Sequence, residues 1–74
     1  MTITVYTKPE CPQCAWTKRK LVQRHLTFTE IDVTQDADAA ARLHSLGIKQ
    51  LPYVVTDSDQ WTGFRLEKIM GAVQ

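Results

Sequence analysis

Cys11 and Cys14 are the two cysteines of the chain, and only Pro12 and Gln13 separate them. Sulfurs three residues apart at a helix start can close a small disulfide ring with little backbone movement. The first of them then lies beside unpaired N–H groups and the positive end of the helix dipole, which favour a thiolate over a thiol. A thiolate with a second thiol ready to displace it is the equipment of dithiol–disulfide exchange. Cys11, the more N-terminal and exposed, is expected to attack. Cys14, one turn inside the helix, is expected to resolve.

Two other uses of the pair compete with this one. Structural zinc takes four ligands, typically in two close pairs. His25 and His44 are the other candidates, and they are too far apart in sequence to make a second pair. A disulfide kept for stability alone gains little from so short a loop, because loop-closure stabilisation grows with loop length. Redox chemistry is the better reading.

Such a dithiol has to be held on a turn between a strand and a helix, and the flanking residues supply both. Residues 2–6 alternate β-branched and aromatic side chains and predict a strand. Pro12 suits the first turn of a helix running towards Arg24, since its missing N–H would be unpaired there anyway. Ala15, Trp16, Leu21 and Val22 are its expected apolar positions, with Lys18, Arg19 and Lys20 largely on other faces. Residues 26–33 predict a second strand. A second helix follows from residue 37 to about Leu46, capped by Thr34 or Asp36 and stopped by Gly47. Residues 53–56 and 60–63 read as a β-hairpin about the turn Asp57-Ser58-Asp59. Residues 65–73, with Leu66, Ile69, Met70 and Val73 at helical spacing, close the chain as an amphipathic helix.

The order β-α-β-α-β-β-α implies an α/β fold of glutaredoxin size: a four-stranded mixed sheet flanked by three helices. A dithiol on the first βα turn of such a unit points to the thioredoxin-like architecture. That turn also occupies the usual ligand position of open α/β sheets.

Composition bounds the rest. The 74 residues are expected to form one domain spanning 1–74, with 43% hydrophobic and 23% charged side chains and a net charge of +1. Nothing in this balance argues for nucleic acid or a membrane surface as partner. No signal peptide and no apolar run of spanning length is seen, so the expected setting is a reducing cytoplasm. Two cysteines there are more often catalytic or metal-binding than structural.

Lys8-Pro9-Glu10-Cys11-Pro12-Gln13-Cys14 with Thr17-Lys18-Arg19, then Lys49-Gln50-Leu51-Pro52, then Trp61-Thr62-Gly63-Phe64-Arg65 resembles the NrdH redoxins. These are glutaredoxin-sized proteins that behave like thioredoxins. The resemblance covers nearly the whole chain, and the Trp-x-Gly-Phe-Arg segment is its most discriminating part. It implies a monomer that takes electrons from thioredoxin reductase and passes them to the disulfide of class Ib ribonucleotide reductase. It also implies no bound cofactor: the redox group is the Cys11–Cys14 disulfide, and NADPH serves indirectly through the reductase. Leu51-Pro52 would match the cis-proline loop that faces the dithiol. Lys8, Pro12, Gln13, Leu51 and Pro52 are thus expected to support the active site, and no metal site is expected.

Two alternatives stay open. A glutathione-dependent glutaredoxin also uses Cys-Pro-x-Cys, but its family commonly carries a Gly-Gly pair and an acidic cap before the last helix. Here that stretch holds one glycine and two bulky aromatics. Trp61, Gly63, Phe64 and Arg65 are accordingly expected to dock a protein, since aromatics with an arginine are enriched at interfaces, although a core place is the safer reading for one of Trp61 and Phe64. The other alternative is a metal or iron–sulfur module that shares the two thiolates with added ligands. The run Lys18-Arg19-Lys20, with Arg24 nearby, reads as a solvated helix face, although contact with an acidic partner or phosphate is conceivable. Asp32, at the end of the second strand, is a conceivable proton acceptor.

Overall fold

β1 (Thr4–Thr7) lies inside the sheet, and the rest of the chain is arranged about it. The computed structural model describes residues 2–72. After β1 come α1 (Pro12–Gln23), β2 (Thr29–Asp32), α2 (Ala37–Ser45), β3 (Tyr53–Val55), β4 (Gln60–Thr62) and α3 (Leu66–Gly71). The sheet order is β2-β1-β3-β4. β1 runs parallel to β2, through the α1 crossover, and antiparallel to β3, which pairs antiparallel with β4. A βαβ unit joined to a hairpin, with three helices, is the thioredoxin-like fold.

Alternation along the strands divides the interior into two layers. Val5 and Val54 face one side with Ile3, Leu21, Trp61 and Ile69, beneath α1 and α3. Tyr6 and Tyr53 face the other with Ala39 and Leu43 of α2, their rings stacked 5.6 Å apart. Among the described residues no helix is long and apolar enough to cross a membrane.

Several expected details are corrected. α1 buries Cys14, Thr17 and Leu21, whereas Ala15, Trp16 and Val22 lie on its exposed surface. Leu21 keeps its expected core place, and the rest of the buried face is made by Cys14 and Thr17, which are not conspicuously apolar. The second strand starts only at Thr29, because residues 24–26 are used to end α1. His25 adopts φ 58°, its N–H donates to the Val22 carbonyl, and that of Leu26 donates to Leu21. This is a Schellman closure with histidine in the usual glycine place. α2 ends the same way, with Gly47 at φ 75° and the N–H groups of Gly47 and Ile48 on His44 and Leu43.

Asp36, and not Thr34, caps α2 by accepting from the Ala39 N–H at 3.0 Å. Thr34 is folded back on Asp32 through both its N–H and its hydroxyl. In α3 only Ile69 is buried; Leu66 and Met70 are 44% and 45% exposed, so the expected apolar face narrows to one residue. Val73 lies outside the described residues.

Candidate active site

The turn after β1 delivers the dithiol to the mouth of α1. Cys11 is the N-cap of α1 and Pro12 its first helical residue. The Cys14 N–H donates to the Cys11 sulfur at 3.2 Å, so a sulfur stands where a Ser or Asp side chain usually caps. The two cysteines form a disulfide with Cα atoms 5.2 Å apart. Cys11 is partly exposed, while Cys14 retains 2% of its surface. An incoming group therefore meets Cys11 first. Once the bond opens, the same N–H and the helix dipole stabilise negative charge on the Cys11 sulfur.

The loop before β3 forms the opposite wall. The Leu51–Pro52 peptide bond is cis, as the resemblance implied. The Leu51 carbonyl oxygen lies 3.9 Å from the Cys11 sulfur, and Pro52 is fully buried. A third wall comes from the segment after β4. The Gly63 N–H donates to the Pro52 carbonyl at 2.8 Å, and the Phe64 N–H donates to Oε1 of Gln13 at 2.9 Å. Gln13, lying between the two cysteines, thus ties the dithiol turn to Phe64. Gly63 has φ 79°, and a Cβ there would stand 3.1 Å from both Gln13 Oε1 and Gln50 Nε2. Both the backbone angle and the space demand glycine.

Lys8, Pro12, Gln13, Leu51 and Pro52 thus gather around the disulfide. Lys8 lines a cavity of about 670 Å³ beside Cys11 and Cys14, whose far wall holds Lys18, Glu30 and Asp32. Lys18 donates to Glu30 at 2.8 Å and the Thr7 hydroxyl donates to the same oxygen at 2.9 Å. The Lys18 hydrogen bond, aided by Thr7 and against some desolvation, holds the Glu30 carboxyl below its ordinary range. Asp32 stands on the same wall with its carboxylate engaged by Thr34. His25 and His44 close α1 and α2 and take no part.

One docking residue is corrected. Trp61 is 7% exposed and packs in the core beneath α1 and α3, so it is not a surface anchor. Its position alternates with exposed Gln60 on β4, and that alternation was the available signal. Phe64 is partly buried and meets Trp16 edge-to-face at 6.1 Å. Arg65 is exposed and paired with Glu67. Trp16, read from sequence as a core position, is 49% exposed beside the site. The spacing of Cys14, Thr17 and Leu21 already places Trp16 on the far side of the helix.

Comparison with known proteins agrees with this geometry. The glutaredoxin family model matches residues 3–61. The glutaredoxin-like protein NrdH of Escherichia coli (strain K12) is 41% identical over 69 residues, covering 93% of this chain and 85% of the relative. That of Lactococcus lactis subsp. cremoris is 29% identical over 63 residues, covering 85% and 88%. The solved structure of the E. coli NrdH-redoxin, a glutaredoxin-like protein with a thioredoxin-like activity profile, superposes with a TM-score of 0.91. It is 40% identical and covers 95% of this chain and 92% of its own. The chain belongs to the glutaredoxin family, among its NrdH-type redoxins, and is a thiol–disulfide oxidoreductase whose redox centre is the Cys11–Cys14 disulfide.

Proposed function

We propose that this redoxin takes electrons from thioredoxin reductase and hands them to the disulfide of class Ib ribonucleotide reductase. In the reduced form the Cys11 thiolate attacks one sulfur of the partner disulfide, and the other partner sulfur leaves as a thiolate. Cys14 gives up its proton and attacks the Cys11 sulfur of the mixed disulfide. The Cys11–Cys14 bond forms, and the partner departs with two electrons and, after protonation, as a dithiol. The reductase runs the sequence backwards, with NADPH as the ultimate donor and no group bound to the redoxin itself. Lys8 lends positive potential at the Cys11 sulfur, and Leu51 and Pro52 present backbone to the partner segment.

The observation that carries this choice over glutathione is the fate of two backbone donors. A glutathione site needs free N–H groups at the turn before the last helix to hold the tripeptide's carboxylates. Here the Gly63 N–H is used by Pro52 and the Phe64 N–H by Gln13. The Gln13 and Gln50 amides pack against their turn, 3.1 Å from where a Cβ of residue 63 would stand. The thioredoxin-like activity profile of the E. coli NrdH-redoxin supports the same reading.

Coupled NADPH oxidation tests it: thioredoxin reductase should reduce the disulfide at micromolar redoxin, and glutathione with glutathione reductase should be far slower. Efficient turnover with glutathione and none with thioredoxin reductase would overturn the proposal.

A further inference from the structure

The basic run of α1 plays no part in the chemistry above, yet the fold sets it beside the exposed tryptophan. Within its twelve residues α1 carries Lys18, Arg19 and Lys20 and no acidic side chain. Lys18 turns towards β2 and is engaged by Glu30. Arg19 and Lys20 follow Trp16 by three and four residues, so they lie one turn further along the same surface. Among the described residues no ion pair holds either of them, and the Lys20 ammonium meets only the neutral Gln23 amide. Trp16 touches Phe64, and Phe64 is bonded to Gln13 between the cysteines. Sulfur, aromatic pair and cations are therefore linked in sequence along one side of the molecule.

We propose that this strip is a docking surface for an acidic polypeptide segment, one that places an apolar side chain on Trp16 and Phe64 and a carboxylate on Arg19 and Lys20. Trp16, half-exposed and packed edge-to-face on Phe64, offers an aromatic anchor of the type enriched at interfaces. Tryptophan and arginine are also the residues that most often dominate binding energy. The whole chain carries a net charge of only +1, so the positive strip is local and selects by complementarity and not by bulk attraction. The inference rests on the dithiol chemistry of the family and not on which protein supplies the electrons.

Two synthetic peptides test it. Both carry the same disulfide ring and a neighbouring Leu; one adds two Glu beyond the Leu, the other two Lys. Each turnover with reduced protein breaks the peptide S–S bond, forms the Cys11–Cys14 bond and moves two electrons and two protons to the peptide thiols. Rates are divided by the rate towards hydroxyethyl disulfide, an uncharged reference, so that changes at the sulfur itself cancel. The acidic peptide should react about tenfold faster at low salt, and the advantage should shrink at about 0.5 M salt. Arg19→Glu with Lys20→Glu should abolish or reverse the preference. Trp16→Ala should slow the acidic peptide by about fivefold. Equal rates for the two peptides, a preference that survives charge reversal, or an unchanged rate in Trp16→Ala would each overturn the proposal.

Discussion

Cys11 and Cys14 share a bond but not an environment, and this asymmetry predicts opposite outcomes when either is removed. Cys14 is sealed under the first turn of α1, while the Cys11 sulfur faces the partly open mouth between Lys8 and Leu51. With Cys14→Ser the first attack proceeds and the second cannot, so a covalent complex with a disulfide partner should accumulate. It would appear as a reductant-sensitive band of summed mass. Cys11→Ser should trap little, and equal trapping by both variants would contradict the assigned roles. The pair itself was evident in the sequence, since its chemistry lies in residue type and spacing. The burial of the two tryptophans was not, because Trp16 and Trp61 are the same residue in opposite surroundings. Only the strand alternation around Trp61 and the helical phase of Trp16 separate them.

The elements were legible in order and type, and the errors lie where an element stops. Gly47 announces the end of α2 openly. His25 does the same work at the end of α1 without a glycine to reveal it, so the second strand was expected to start at Leu26. These two closures predict substitutions of opposite sign. A non-glycine residue in the left-handed region costs roughly 1–2 kcal/mol, partly offset by the greater unfolded-state freedom of glycine. His25→Gly should therefore stabilise the protein by about 0.5–1 kcal/mol, or several degrees in Tm for a domain this size. Gly47→Ala should destabilise by about 1 kcal/mol through its backbone angle alone, as a Cβ there meets nothing within 4 Å. Urea midpoints of the two variants check both signs. α3 was overestimated for a different reason. Leu66 and Met70 fit a helical stripe, but within this short helix Ile69 is the buried residue.

Across the whole molecule, one contact ties α1 to the outer strand β2 and makes stability depend on pH. Lys18 holds the Glu30 carboxyl below its ordinary 4.5. A lowered folded value means that the native state binds this proton less readily than the unfolded chain. The stabilisation is complete above the ordinary value and is lost as pH falls through the lowered one. Glu30→Gln should thus be less stable than the parent near neutrality, with the gap closing as the solution is acidified. A gap that stayed constant with pH in urea unfolding would show that the carboxylate charge is not responsible.

The strand that delivers the dithiol also gives the molecule two poles. At the end of β1 that leads into the Cys11 turn, the chain opens onto the active site. At its other end the Thr2 N–H donates to the Asp57 carboxylate in the β3–β4 turn, at the end of the strands away from Cys11. A redoxin tethered through its leading residues, to an electrode or to another protein, would hold its sulfurs outward.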